Sequence, residues 1–362
     1  MRKIISPKKS IRSLKPYTAV NSFALIKKKP RQEPHKLDWN EATLPPSPRV
    51  FRAFKRYLSQ PHHLNWYPDP ECIALRRELA RYTGRDESEI LVTNGSDAAL
   101  DLIARTYLDD DDEVIIAAPA YSHFTLFARS CDAMIKEVYY ENPFKKEVDK
   151  IINAITPNTR MVYIINPNNP TGVLYTIDEV IAILKKAANA IVVVDEAYYE
   201  YTMRSATPLL SDFTNLIITR SFSKALSLAG ARIGYIISHT ENIKNLMRLH
   251  NIKSVNTLAQ VAALAALQDT DYLYAYLDAV KKAKHYVHVE LQRMGIEHVI
   301  TPSNFILVKV KNPRHIEQEL ATQGVYVRDR SMVPQLNGYL RLNIGTPKQM
   351  KKVIEIFKKV IS

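Results

Sequence analysis

A lysine ε-amine can hold an aldehyde covalently and later release it, and Lys224 stands in a setting suited to that exchange. It closes Arg220-Ser-Phe-Ser-Lys224 directly behind an apolar run, with Arg232 eight residues further on in Ala229-Gly-Ala-Arg-Ile-Gly234. A pyridine ring that must stay protonated to accept electrons needs a carboxylate beside its nitrogen. Asp195, in Asp195-Glu-Ala-Tyr198, is the acid for that task. A phenolic ring oxygen needs donors, which Tyr198 and Asn169 can supply. A phosphate dianion is held by the free N–H groups of a helix start, by hydroxyls and by a guanidinium. Gly95, Ser96, Asp97, Ser221, Ser223 and Arg232 offer all three together. These types complement one ligand, a phosphorylated pyridine aldehyde.

The elements that must position them follow from the hydrophobic pattern. Between residues 88 and 240, short β-branched runs alternate with amphipathic stretches. Ile90–Val92, Val114–Ala117, Met161–Ile165, Ile191–Val194, Leu216–Thr219 and Ile233–Ile237 are expected as buried strands. Helices are expected over Asp97–Leu108, Ser122–Cys131 and Ile177–Ala188. Such alternation predicts an α/β fold around a mostly parallel sheet, with ligands at the carboxyl ends of its strands. The motifs lie at those ends: Asn166-Pro-Asn-Asn-Pro-Thr-Gly172 behind Ile165, Asp195 behind Val194, and Arg220 to Lys224 behind Thr219. The chain has only nine glycines, and Gly95, Gly172, Gly230 and Gly234 fall inside these motifs, where close backbone approach or positive φ is expected. Beyond Thr257, helices over 257–268 and 271–294 lead into strands at 305–310, 325–328 and 340–344 and a closing helix over 348–361, a smaller α+β domain. The expected division is an N-terminal arm over 1–40, a large domain over 41–268 and a small C-terminal domain over 269–362.

At 362 residues the chain is long enough for two domains with a sizeable core. Its net charge of +13 suggests nucleic acid until the charge is located. Residues 1–36 carry +10, which leaves +3 for the rest, so the body is electrostatically ordinary and no nucleic-acid partner is expected. No apolar run is long enough to span a membrane. Cys72 and Cys131 have no metal-like spacing and suit a reducing cytoplasm, and no metal is expected.

Taken in order along the chain, these motifs resemble the fold-type I pyridoxal-phosphate aminotransferases, and among them the histidinol-phosphate aminotransferase family. The resemblance runs from Leu14-Lys-Pro-Tyr17 and Leu37-Asp-Trp-Asn-Glu41 through Tyr67-Pro-Asp-Pro70, Asn94-Gly-Ser-Asp97 and Pro119-Ala-Tyr-Ser122. It continues through the central motifs to Ser303-Asn-Phe-Ile306, Val327-Arg328 and Leu340-Arg-Leu-Asn-Ile-Gly345. It implies that Tyr121 stacks on the cofactor ring and that Tyr67 reaches the phosphate bound by a neighbouring subunit in a homodimer. It also implies that Arg341 takes the glutamate carboxylate and that Tyr17 and Arg328 face the distal group of the substrate, with Asn169 alongside. The activity implied is transfer between glutamate and a small phosphorylated amine or ketone in amino-acid biosynthesis. Histidinol phosphate is the default; the alternatives are another phosphorylated ketone such as dihydroxyacetone phosphate, a threonine-phosphate-type decarboxylation, or an aromatic substrate. Three departures stand out: Thr43-Leu44-Pro45 and Ser227 replace segments where the family has glycine, and residues 18–36 are unusually rich in lysine.

Overall fold

In the computed structural model, residues 5–12, 14, 34–61 and 64–361 are described. Strands in chain order are β1 His35–Lys36, β2 Ile90–Thr93, β3 Glu113–Ala118, β4 Met134–Tyr139, β5 Thr159–Ile165, β6 Ile191–Asp195, β7 Leu216–Ser221 and β8 Gly234–Ser238. They continue as β9 His298–Ile300, β10 Phe305–Lys309, β11 Val325–Tyr326, β12 Arg328–Asp329 and β13 Tyr339–Asn343.

Seven strands form the main sheet in the order β2-β8-β7-β6-β5-β3-β4. Every adjacent pair is parallel except those of β8, which runs against both β2 and β7. The central strands are near-continuous apolar runs because both faces are covered. On one face Val162, Ile164, Val192, Val194 and Ile218 share a core with Leu75, Leu79, Val180 and Ile183. On the other, Tyr163, Val193 and Ile217 pack with Leu100, Ile103 and Phe124. The helix Ile177–Lys186 starts in a capping box, with Thr176 and Glu179 each accepting from the other's backbone N–H. No helix among the described residues is long and apolar enough to cross a membrane.

The α/β class expected from the sequence is the observed one, and the six expected strands are present. β4, absent from that reading, is an edge strand whose residues Met134, Lys136 and Glu137 are exposed, so it lacks the apolar run that marks its neighbours. The expected strand at 325–328 divides. β11 pairs in parallel with β1, whereas β12 pairs antiparallel with β13 in a four-stranded sheet ordered β12-β13-β10-β9. This small sheet buries Ile306, Val308, Leu340 and Leu342 against the helices Thr270–Arg293 and Pro347–Ile361. Residues 35–44, divided at residue 40 between arm and large domain on sequence grounds, also pack here: Leu37 is buried in this core, with Ala42 and Leu44 against it.

Candidate active site

Parallel strands end on one edge, so β5, β6 and β7 deliver their motifs to the same place, as do β2 and β3. The reversed strand β8 begins where the others end. Gly234 lies between Thr93 of β2 and Ser221 of β7, which brings Arg232 to the start of the helix Gly95–Tyr107. A Cβ on Gly234 would lie 2.7 Å from the Ser96 nitrogen and 2.8 Å from the Arg220 carbonyl oxygen, so only glycine permits this approach. Gly95 has φ +84° and begins the helix, whose first-turn N–H groups have no intrahelical acceptor. The Arg232 guanidinium lies 3.4 Å from Ser223 Oγ and 3.4 Å from Asp97 Oδ2, and Ser221 Oγ accepts from the Ser223 N–H at 3.1 Å. Helix start, hydroxyls and guanidinium thus gather in one cradle whose donors suit an anion such as phosphate.

Asp195 ends β6 and is 4 % exposed. Oδ2 accepts from the Tyr163 hydroxyl at 3.0 Å and Oδ1 from the Ala197 N–H at 3.1 Å. Burial nevertheless raises its pKa to about 6, since those hydrogen bonds offset only part of the desolvation. A buried carboxylate held so far up fits a site whose ligand brings the missing positive charge, as a protonated pyridine nitrogen does. Lys224 shows the converse. Burial, with Arg341 nearby, lowers its ammonium to about 8, and Nζ donates to the Trp39 carbonyl at 3.1 Å. The Tyr198 ring centroid is 5.8 Å from Nζ. The Tyr198 hydroxyl accepts from Asn40 Nδ2 at 2.9 Å, which leaves its own proton for a ligand oxygen. Burial raises this hydroxyl's pKa, opposed by Arg341 and Asn40.

The turn after β5 is fixed by its own asparagines. Asn166 bridges both backbone groups of Tyr175, and Asn168 Nδ2 donates to the Pro119 carbonyl and to Thr171 Oγ1. Gly172, at φ +79°, lies so near Thr301 that a Cβ would be 2.6 Å from that side chain. Asn169 is thereby held against the small sheet, where its Oδ1 accepts from Arg341 Nη1 at 2.7 Å. Arg341 Nη2 donates to the Asp38 carbonyl at 2.6 Å. Arg341 is the register partner of Arg328, so both side chains leave the same face of the small sheet. Arg328 is half-buried.

Two expected residues stand apart. Tyr67 is 78 % exposed, with Lys253 Nζ 4.3 Å from its ring centroid, and no contact joins it to the cradle of its own chain. Tyr17 lies outside the described residues. Tyr121 is present at the cradle: its hydroxyl donates to Asp97 Oδ1 at 2.9 Å. Ser227, where the resembled family has glycine, takes φ +59°, the left-handed region that explains a glycine there.

Sequence reasoning missed several partners. Tyr163, which holds Asp195, is the one polar side chain in the buried run Met161–Ile165, and that is the signal it carries in the sequence. His123 Nδ1 is 2.7 Å from the Tyr121 hydroxyl. Because that hydroxyl donates to Asp97, the imidazole must donate to it, which sets the tautomer. Asn40 and the Trp39 carbonyl had no sequence signal beyond lying in Leu37-Asp-Trp-Asn-Glu41.

The model of the family described as aminotransferase class I and II matches residues 33–357. A dihydroxyacetone phosphate transaminase of Campylobacter jejuni is 37% identical over 326 residues, 88% of each chain. A histidinol-phosphate aminotransferase of Moorella thermoacetica is 31% identical, over 98% of this chain and 93% of its own. Among solved structures, the histidinol-phosphate aminotransferase of Sinorhizobium meliloti in complex with pyridoxal-5'-phosphate superposes with a TM-score of 0.88 at 27% identity, covering 98% of this chain and 96% of that one.

Proposed function

Because this chain belongs to the class I and II aminotransferase family, as an enzyme that uses pyridoxal phosphate, we propose that it moves an amino group between glutamate and a small phosphorylated ketone. The observation that carries this is the pairing of Arg328 with Arg341 on the site-facing side of the small sheet. Two substrates with different far ends need a second guanidinium beyond the one that takes a carboxylate. Imidazole-acetol phosphate and dihydroxyacetone phosphate share a ketone one carbon from a phosphate ester, and that unit is the class we assign. The 37% identity to a dihydroxyacetone phosphate transaminase supports the smaller ketone beside the histidinol-phosphate pair.

When bound, the cofactor supplies an aldehyde carbon that takes the amino group and a ring that accepts electrons. Lys224 would hold the aldehyde, and its Nζ is the base that would move the proton between the substrate α-carbon and the other end of the transfer. Asp195 keeps the ring nitrogen protonated. Tyr198 and Asn169 would donate to the ring oxygen, and Tyr121 would pack on the ring. Gly95, Ser96, Asp97, Ser221, Ser223 and Arg232 hold the phosphate, the first three through the helix start. Arg341 takes the α-carboxylate of glutamate. Arg328, with Tyr17 from the N-terminal segment, takes the distal anion. The two cysteines are unpaired, and we place the enzyme in the cytoplasm.

Arg328→Ala should cost the phosphorylated substrate about 2–4 kcal/mol if the pair is desolvated, or roughly 30-fold to 1000-fold in kcat/KM. The check is the half-reaction rate of each amine, followed through the cofactor's visible absorbance. The phosphorylated amine should lose far more than its unphosphorylated analogue. A wild type that shows no preference for phosphorylated amines would refute the assignment, and an aromatic or aliphatic amino acid would replace it.

We further infer a homodimer in which Tyr67 serves the partner's phosphate. Tyr67 is exposed, as are its chain neighbours Leu64 and Trp66, large apolar side chains that a partner subunit would cover. Lys224→Ala and Tyr67→Ala chains, each inactive alone, should regain activity when dissociated and re-associated together. Equal mixing makes half the dimers hybrid, each with one intact site, so recovery should approach about a quarter of wild type. No recovery after verified exchange contradicts the shared site.

A further inference from the structure

Arg328, Arg330 and Arg341 share one face of the small sheet. The β12–β13 register pairs Arg328 with Arg341 and Asp329 with Leu340, and the next rung is closed by the Arg330 N–H to the Tyr339 carbonyl at 2.9 Å. Alternation places residues 328, 330, 339 and 341 on one side and 329, 340 and 342 on the other. Leu340 and Leu342 are buried under the two long helices, so that side is closed. The opposite side meets the large sheet: Phe305 lies edge-on to Tyr198 with centroids 5.7 Å apart, Phe144 meets Tyr339 at 5.3 Å, and Arg341 bonds Asn169. Arg330 is half-buried there. Its charge joins that of Arg341 in drawing the Tyr198 hydroxyl downward against burial, in keeping with the side that the alternation gives it. β12 is the edge strand of this sheet, and on its outer flank the Asp329 N–H donates to Glu317 Oε1 at 3.0 Å. Arg328 itself acts on Glu317, a carboxylate on the neighbouring helix that offsets part of its charge.

We propose that Arg328 and Arg330 together form a two-guanidinium receptor for the substrate's phosphate, with Arg330 the residue that separates a phosphate ester from a carboxylate. The inference rests on the phosphorylated-ketone reading above. Residues two apart on a strand are about 6.7 Å apart, a span that two arginine forks can close on one phosphate. A carboxylate has two oxygens and one charge, and a single fork saturates it. A phosphate ester has three terminal oxygens and up to two charges, so a second fork adds binding for phosphate and little for the glutamate γ-carboxylate.

The test compares holoenzyme of wild type, Arg330→Gln and Arg330→Lys in half-reactions with glutamate and with histidinol phosphate and serinol phosphate (the amine of dihydroxyacetone phosphate), with inorganic phosphate as a competing ligand. In Arg330→Gln, KM for the phosphorylated amine and Ki for inorganic phosphate should rise tenfold or more while kcat changes less. The loss should exceed that on glutamate by at least tenfold. Arg330→Lys should recover part of it, since the charge remains and the fork does not. Equal losses on both substrates, or none on the phosphorylated amine, overturn the receptor while leaving the functional reading intact. If wild type prefers no phosphorylated amine, both fall together.

Discussion

Lys224→Ala abolishes turnover, with a fall of roughly 10³-fold or more, and abolishes covalent retention of the cofactor while the protein stays folded. The size of the effect follows from two tasks on one atom, because Nζ both holds the aldehyde and carries the proton. The setting suits the first task. With its pKa lowered to about 8 by burial and by Arg341, roughly a quarter of the amine is neutral at pH 7.5, against about one part in a thousand for an exposed lysine. Only the neutral amine attacks an aldehyde, so capture of the cofactor by apo-protein should accelerate as pH rises through about 8 and level off above it. The substitution should not unfold the protein. A lysine whose pKa falls on folding is a buried ammonium at neutral pH, a cost that alanine removes. Borohydride reduction followed by peptide mapping checks the attachment, and circular dichroism the fold. Unchanged visible absorbance and activity in the variant would sink the whole account.

Asp195→Asn should be the second largest loss, several orders of magnitude in rate with the cofactor still bound. The carboxylate is held up at about 6 against an ordinary value near 4, so at neutral pH the apo-protein carries a buried charge that costs about 3 kcal/mol. The sign is that of a raised acid: the contribution is favourable below pH 4 and is lost as pH rises through 6. The amide removes that cost, and the apo-variant should therefore be at least as stable as wild type at pH 7. What the amide cannot do is keep the ring nitrogen protonated, and the substrate carbon then loses the electron sink that makes its proton removable. Tyr163 and the Ala197 N–H should hold an asparagine in the same place, so binding survives while chemistry fails. Near-normal rates would show that Asp195 is not the partner of the ring.

The cofactor side of the site was legible in the sequence because each of its residues lies within a few positions of a strand end, and strand ends of a parallel sheet converge. Lys224, Asp195, Asn169 and the helix start at Gly95 needed only strand order and direction. Arg232 needed more: it reaches the cradle because β8 runs backwards, and an apolar run such as Ile233–Ile237 does not encode its direction. The layer behind the contacting residues was opaque for a related reason. Tyr163 and Asn40 act by hydrogen bonds across different elements, spacings that no local period records, and His123 meets Tyr121 two residues away through side-chain orientation that spacing does not reveal. The small sheet was legible as strands, and Arg328 and Arg341 as substrate residues only through the family resemblance, since Arg328 and Arg330 become neighbours of Arg341 only through the β12–β13 register. The division of 325–329 into two strands with different partners also follows from pairing, which Val325 to Arg328 as a run does not reveal.

The central claim, amination of a phosphorylated ketone, is tested most directly by supplying holoenzyme with amino-¹⁵N glutamate and, in turn, imidazole-acetol phosphate and dihydroxyacetone phosphate, and following the label by mass spectrometry. The account predicts ¹⁵N in the matching phosphorylated amine, in one-to-one stoichiometry with 2-oxoglutarate and with no release of carbon dioxide. Label that stays in glutamate with both ketones, or carbon dioxide released in place of 2-oxoglutarate, would contradict it.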